Sequence, residues 1–103
     1  METMVSAKAA LLQALISGPG YGLELLERVR ERTKGRVVLG QGSVYPALRS
    51  LERGGLVKSW EGPPLDERGG RPRIFYELTA EGRRTAKEDR KAGAALFAAQ
   101  AFA

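Results

Sequence analysis

Residues 40–56 read GQGSVYPALRSLERGGL and predict an amphipathic helix. Its apolar residues recur at i, i+4 and i+7 and therefore share one buried face: Val44, Leu48 and Leu51, with Ala47 beside them. Pro46 is tolerated within the first turn of a helix, where its missing N–H costs no hydrogen bond, so the helix is expected to start near residues 41–43. The glycine pair at 54–55 ends it.

The opposite face of this helix is polar. Tyr45 and Arg49 are spaced i, i+4 and point outward, while Gln41 and Ser43 lie on the leading turn. A helix with these exposed groups can reach base edges and phosphates together, and its first N–H groups can bind a phosphate. We therefore predict that the helix contacts DNA through Gln41, Ser43, Tyr45, Pro46 and Arg49. Taken alone, it is equally consistent with an ordinary surface helix.

Two strands follow the helix. Residues 56–61 (LVKSWE) alternate apolar and polar side chains, and residues 73–79 (RIFYELT) place Ile74, Tyr76 and Leu78 on one face. A long hairpin loop, PPLDERGGRP, joins them. Trp60 and Phe75 are expected to pack in the core rather than to line a ligand pocket.

The end of the hairpin loop concentrates positive charge, because residues 68–73 read RGGRPR. The two glycines permit a tight reversal, and Pro72 belongs at a strand edge because it cannot donate to the ladder. The three arginines, Arg68, Arg71 and Arg73, are predicted to contact phosphates or a narrow minor groove. A solvated loop is the alternative, but the loop and the helix in this order and spacing favour a DNA-binding wing.

The remaining segments predict three further helices and one short strand. Helices are expected at 6–17 and 21–34, separated by a helix–helix turn at 18–22 that lacks the features of a phosphate loop. Val37-Val38-Leu39 is a β-prone run, sufficient for a small edge strand. A last helix, opened by Thr79, is expected to span residues 80–103.

The composition limits the classes of function. The 103 residues carry a formal net charge of +5, and the positive charge concentrates in two segments: residues 68–91 (net +4, from eight basic and four acidic side chains) and residues 36–58 (net +3, from four basic side chains and one acidic). Such a distribution indicates a polyanionic partner, although a solubilising surface alone accounts for the total. The chain has no His and no Cys, which argues against zinc sites, Ser-His triads, Cys nucleophiles and disulfides. We expect no cofactor, no metal and no enzymatic activity.

The same composition gives expectations about location. Cysteine-free chains are typical of a reducing compartment, and a cytoplasmic protein is expected. No signal peptide is recognisable, and the apolar tail at 93–103 is far shorter than the roughly 20 residues of a membrane span.

Three linked stretches, GPGYGLEL, GSVYPALRSLERGGLV and GGRPRIFYELTAEGR, resemble the PadR-type winged-helix transcriptional regulators over roughly residues 10–85. Two positions depart from the common pattern. Gly40 stands where many members have Ser before the recognition helix, which weakens the expected N-cap, and Leu23 replaces a frequent Tyr.

The resemblance implies a mostly helical α+β fold: a winged helix-turn-helix with N-terminal helices, a two- to three-stranded wing and a C-terminal dimerisation helix. It divides the chain into a DNA-binding domain at 1–79 and a dimerisation helix at 80–103. It implies a homodimer in which the last helix packs on the partner's first helix. An apolar chain end agrees with this, and the predicted interface residues are Leu96, Phe97, Ala99 and Phe102.

The family also implies a repressor that binds double-stranded DNA at an inverted repeat and is released by a small aromatic or lipophilic effector. An effector site would lie between subunits, near the first and last helices. The alternative is a winged-helix module whose surfaces bind a protein without specific DNA binding, and an enzyme is a distant third. The sequence identifies neither the operator nor the effector.

Overall fold

The computed structural model describes residues 6–63 and 72–101, and of residues 97–101 only the backbone. Its elements, in chain order, are α1 (Ala7–Ala14) continued by a 3-10 turn (Leu15–Ser17), β1 (Gly20–Tyr21), α2 (Gly22–Arg32), α3 (Gln41–Arg53), β2 (Val57–Glu61), β3 (Ile74–Leu78) and α4 (Ala80–Ala101). The three strands form an antiparallel sheet in the order β1-β3-β2. The expected mostly helical winged helix-turn-helix is confirmed.

The core lies where α1, α2, α3 and one face of the sheet meet. Its largest fully buried side chains are leucines from the three helices and one valine: Leu11, Leu15, Leu25, Leu48, Leu51 and Val44. On the sheet, Val57, Tyr76 and Leu78 face inward. The predicted buried face of α3 is therefore confirmed, and α3 is held against α1, α2 and β2.

The predicted strand at Val37–Leu39 is wrong. The backbone N–H of Val37 donates to the Thr33 hydroxyl at 3.0 Å, and that of Arg36 donates to the Thr33 carbonyl at 3.1 Å. These bonds fold the linker between α2 and α3 back on the end of α2, so no partner strand is needed. Val37 and Leu39 are each 7% exposed, and their apolar side chains pack in the core.

The third strand lies instead in the segment predicted as a simple helix–helix turn. Gly20 pairs with Tyr76 and Tyr21 pairs with Phe75. This short strand ties the start of α2 to the middle of β3. The helix-turn-helix and the ribbon that follows it are therefore one connected unit.

Pro46 also departs from its expected place. Because α3 begins at Gln41, Pro46 lies in the second turn rather than the first. Proline has no N–H, so the carbonyl of Gly42 lacks its usual helical donor. Gly40 is the N-cap and contributes no side-chain hydrogen bond, while its carbonyl accepts from Ser43 and Val44 at 3.0 and 3.2 Å.

The first two turns of α4 pack on the core, whereas no side chain from Lys87 to Leu96 is fully buried. The Thr79 hydroxyl caps the helix by accepting from the Gly82 N–H at 3.0 Å. A Cβ on Gly82 would lie 1.8 Å from the Leu56 carbonyl oxygen, so glycine alone permits this close approach. Ala86 is fully buried, and its carbonyl accepts from Gln13 at 2.7 Å.

Candidate nucleic-acid interface

The outer face of α3 presents the side chains that the sequence predicted there. Gln41, Ser43, Pro46 and Arg49 are exposed, and Tyr45 is 38% exposed. They lie opposite the buried stripe that fixes the helix in the core. Arg49 forms no ion pair with any residue in 6–63 or 72–101, so in this part of the chain its charge is available to an outside anion.

Tyr45 is fixed by its contact with the start of α2. A Cβ on Gly22 would lie 2.7 Å from the Tyr45 ring and hydroxyl, so the ring packs directly over this glycine. Any larger residue at position 22 would push Tyr45 aside. The contact sets the orientation of α3 relative to α2, the two helices of the helix-turn-helix.

Arg28 anchors α2 from the opposite side, a role that sequence reasoning missed. Its guanidinium donates to the carbonyls of Ala14, Gly18 and Pro19 at 3.0, 2.9 and 3.1 Å. These oxygens belong to the end of the first helix and the turn after it. In the sequence, Arg28 stands only in i, i+4 spacing to Glu24, and the structure places these two side chains 3.8 Å apart. A polar residue on the outer side of an amphipathic helix gives no sequence signal for such an anchor.

The outer face of the sheet carries three aromatic rings side by side. Phe75 of β3 lies opposite Tyr21 of β1 on one side and Trp60 of β2 on the other. The Tyr21 and Phe75 rings meet edge to face with centroids 5.7 Å apart, and the Trp60 and Phe75 rings stack at 5.9 Å. We call these three residues the aromatic row. Trp60 is 41% exposed, so the expectation that Trp60 and Phe75 pack in the core is wrong.

Arg73 stands at the end of the aromatic row, where β3 begins. Its guanidinium carbon lies 4.6 Å from the centroid of the Tyr21 ring. A cleft of about 350 Å³ brings Arg73 together with Tyr45 of α3, and its other walls are Tyr21, Gly22, Leu23, Pro72 and Ile74. The recognition helix and the base of the ribbon therefore share one surface depression.

Two of the predicted wing contacts lie outside the described residues. Arg68 and Arg71 belong to residues 64–71, so their DNA contacts stay predictions. Pro72 and Arg73 are described: Pro72 is half-buried and Arg73 is exposed. Within the described residues, Arg73 is the wing arginine that lines a cleft together with α3.

One titratable group behind this surface has a shifted pKa. Burial raises the pKa of the Tyr76 phenol above its ordinary value, and the negative charge of Glu52 raises it further. The Arg49 guanidinium acts in the opposite direction. Glu52 itself accepts a hydrogen bond from the Ser59 hydroxyl at 2.6 Å, which joins α3 to β2.

The second half of α4 is the other predicted site. From Lys87 to Leu96 no side chain is fully buried, and Leu96 is 72% exposed. The side chains of Phe97 and Ala99 and the whole of Phe102 lie outside the described residues. A groove of about 570 Å³ runs beside this helix, between α1, the end of α2 and α4.

Other kinds of site find no support in the described part of the chain. Within residues 6–63 and 72–101, no three His, Cys, Asp or Glu side chains lie close enough together to hold a metal ion. No helix among these residues combines the length and apolar character that crossing a membrane requires.

This geometry defines a class: a winged helix-turn-helix in which α2 and α3 are the paired helices and β2 and β3 form the wing. Residues 11–88 match the family described as the transcriptional regulator PadR-like family. The chain therefore belongs to the PadR-like family of transcriptional regulators, and the resemblance inferred from the sequence is confirmed. A comparison with curated proteins gives no match.

Solved structures of this family have the same fold. The chain is 27% identical to a PadR family transcription regulator from Clostridium difficile R20291, with a TM-score of 0.75 over 90% of this chain and 92% of that chain. A transcriptional regulator from Clostridium thermocellum is also 27% identical, with a TM-score of 0.74 over 90% of this chain and 84% of the other.

A third solved structure is that of Bacillus subtilis PadR in complex with operator DNA. It is 20% identical to this chain, with a TM-score of 0.68 over 79% of this chain and 44% of that one. At 20% identity, the similarity shows a shared fold alone. Membership of a family of transcriptional regulators favours a role other than catalysis.

Proposed function

We propose that this chain is a sequence-specific, double-stranded DNA-binding repressor that acts as a homodimer. The observation that carries the proposal is the cleft shared by Tyr45 of α3 and Arg73 of the wing base. Tyr45 lies on a helix suited to the major groove, and Arg73 is an exposed cation beside it with no ion pair among the described residues. The Bacillus subtilis PadR structure with operator DNA supports this use of the fold.

The roles divide between the two elements. The exposed side chains of α3, Gln41, Ser43, Tyr45, Pro46 and Arg49, would reach base edges and the nearest phosphates. Arg73, with Arg68 and Arg71 of the wing, would bind the flanking backbone or the minor groove. Phosphates carry no sequence information, so the wing would supply affinity and register rather than base identity.

Selection of bound sequences from a random duplex pool, followed by salt titration of the selected duplex, tests this proposal. Sequence-specific binding predicts enrichment of one motif and a log K that falls by about 0.9 per tenfold rise in salt for each phosphate contacted. The competing function, a winged-helix module for protein interaction, predicts no enriched motif. A pool that stays random would reject the proposed function in favour of that alternative.

A two-fold dimer gives the proposal a geometric consequence. The two copies of α3 should enter successive major grooves about 34–36 Å apart, so the operator should be an inverted repeat with half-sites about 10 base pairs apart, centre to centre. A footprint of one asymmetric half-site bound by one protomer would contradict it.

The dimer itself is proposed to form through α4. The exposed second half of this helix, with Leu96 at 72% exposure, would be covered by a second copy. The groove beside it, lined by Ala9, Gln13, Ile16 and Val29 among others, is where the partner's last helix would pack on α1. The division at residue 79 and the interface roles of Phe97, Ala99 and Phe102 belong to this proposal.

Sedimentation of a chain truncated after Lys91 tests the dimer. The truncated chain keeps Gly82 and Ala86, the buried part of α4, and is expected to fold and sediment as a monomer or to aggregate. A well-behaved dimer of the truncated chain would place the interface elsewhere.

The proposal also includes release from DNA by a small aromatic or lipophilic effector. The groove of about 570 Å³ has the size of ordinary ligand pockets, about 300–1,000 Å³. In the proposed dimer this groove lies between the subunits, so a ligand that binds there would displace or shift the partner's last helix and thereby change the half-site spacing. A compound that binds the protein without weakening its DNA complex would contradict this role.

A further inference from the structure

The strand register determines which side chains share the outer face of the sheet. Arg73 immediately precedes β3, and its carbonyl accepts from the Gly62 N–H at 2.7 Å, which continues the pairing beyond β2; Arg73 and Phe75, two residues apart, therefore lie on the same face. Tyr21 is the cross-strand partner of Phe75. Arg73 is consequently the diagonal neighbour of Tyr21, a relation that long and aromatic side chains bridge.

The contact made across this diagonal is a cation over an aromatic ring. The Arg73 guanidinium carbon is 4.6 Å from the Tyr21 centroid, within the distance of about 6 Å at which the ring quadrupole attracts a cation. The contact cancels none of the charge. Arg73 also forms no ion pair among residues 6–63 and 72–101, so within this part of the chain its guanidinium is oriented and no carboxylate neutralises it.

Tyr21 is itself held in place on two sides. Its ring packs edge to face on Phe75, which stacks on Trp60. Its backbone pairs with β3 and leads directly into Gly22, the residue over which Tyr45 packs. Tyr21 thus lies between α3 and the start of β3. Tyr45 of α3 and Arg73 beside β3 line the same cleft as Tyr21.

We propose that Tyr21 is a positioning residue for DNA binding: its ring holds the Arg73 side chain in the orientation in which the guanidinium meets a phosphate. The proposal deepens the proposed function and rests on it. An arginine fixed beforehand loses less side-chain freedom when it binds, and this is the gain that Tyr21 supplies. Tyr21 needs no DNA contact of its own for this role.

Two substitutions at position 21 separate the ring from the hydroxyl. Tyr21→Leu removes the aromatic face and keeps an apolar side chain, and it should weaken binding to the selected duplex by about 2- to 5-fold per protomer, the range set by an exposed cation–π contact. Tyr21→Phe keeps the face and should bind like the wild type. A large loss in Tyr21→Phe would make the hydroxyl a direct DNA contact and overturn the positioning role.

A double-mutant cycle with Arg73→Ala tests whether Tyr21 acts through Arg73. In the Arg73→Ala background, Tyr21→Leu should change affinity by less than about 1.5-fold, because the group that the ring positions is absent. Arg73→Ala should flatten the salt slope by about 0.9 per protomer, whereas Tyr21→Leu should leave it unchanged since the phosphate contact still forms. Additive losses would mean that the two residues act independently.

The fold is monitored in the same samples. Trp60 is the single tryptophan and stacks on Phe75, so an unchanged emission spectrum and thermal midpoint show that the sheet of a variant is intact.

A measurement on the unmodified protein covers the case in which Tyr21→Leu fails to fold. The Arg73 side-chain protons should be shifted upfield by the Tyr21 ring current in the free protein, and random-coil shifts would reject the contact. This measurement needs no DNA. A protein that shows the shifts but selects no duplex refutes the proposed function and with it the role of Tyr21, while the contact itself stands.

Discussion

The recognition helix and the wing base are held in place by opposite means. α3 is held from behind by Val44, Leu48 and Leu51, which are at most 2% exposed, and on its outer face Tyr45 packs on a neighbouring helix, at Gly22. The wing base, meaning Arg73 and the start of β3, is held on the outer face of the sheet by the aromatic row, which remains partly exposed. Replacing the buried residues of α3 should therefore lower the stability of the whole fold. Replacing a residue of the aromatic row should have a smaller effect on that stability.

The largest effect is expected from the buried side of α3. Leu48 is 0% exposed, and Leu48→Ala should lower the free energy of unfolding by about 2–5 kcal/mol because it leaves a cavity. Leu23→Ala, at a leucine that is 48% exposed, is the matched control and should change it by less than about 0.5 kcal/mol. Urea denaturation followed by circular dichroism measures both. Equal losses for Leu48→Ala and Leu23→Ala would mean that the burial of a leucine side chain does not determine the cost of removing it.

The next effect concerns the exposed side of the same helix. Arg49→Ala should weaken DNA binding by about 1–3 kcal/mol and relax the preference for one base if Arg49 reads a base edge. Arg53→Ala, one turn further along α3 and also exposed, is the control and should cost less and alter no base preference. Binding to a panel of single-base operator variants measures this. An unchanged affinity in Arg49→Ala would mean that this face of α3 is not the reader.

The two regions also differ in how far their structure follows from the sequence. The i, i+4, i+7 pattern of α3 predicted both of its faces, because a helix is defined by neighbours within one turn, and the glycine pair at 54–55 predicted its end. Val37–Leu39 misled because β-propensity reflects the fit of a side chain to a half-buried surface, and a buried loop offers such a surface too.

The wing base could not be predicted in the same way. β1 consists of Gly20 and Tyr21, and its partners Phe75 and Tyr76 lie more than 50 residues away. Strand alternation told which residues of β3 share a face but not that a third strand would place Tyr21 beside Phe75. The diagonal contact with Arg73 follows from that register, so it is visible only in three dimensions.

A smaller effect is expected from the aromatic row. Trp60→Leu removes the stack on Phe75. It should lower the free energy of unfolding by about 0.5–1.5 kcal/mol in addition to the loss that comes from burying less apolar surface. On the same outer face, Lys58→Ala breaks the 3.1 Å ion pair with Glu77 and should cost about 0–1 kcal/mol, as exposed pairs do. Urea denaturation at low and high salt distinguishes the two, since only the ion pair is screened. A larger loss in Lys58→Ala would mean that charge, not stacking, stiffens this face.

The smallest effect is expected where the two anchoring modes meet, at consecutive residues of β3. Phe75 faces outward in the aromatic row, while Tyr76 faces the core and is 6% exposed. Burial, and then the charge of Glu52, raise the pKa of Tyr76 in the folded protein. The tyrosine phenol of an unfolded chain has a pKa near 10, so the stability linked to Tyr76 is fully present below about that pH.

Above that pH the unfolded chain releases a proton that the folded chain still holds, so this stability is lost as the pH rises toward the folded pKa. Unfolding free energies measured between about pH 8 and 11 should therefore fall more steeply for the wild type than for Tyr76→Phe, which has no phenol at this position. Lysine and arginine ionisation is common to both proteins and cancels in the difference. Parallel curves for wild type and Tyr76→Phe would mean that the core side of β3 is as open to water as its outer side.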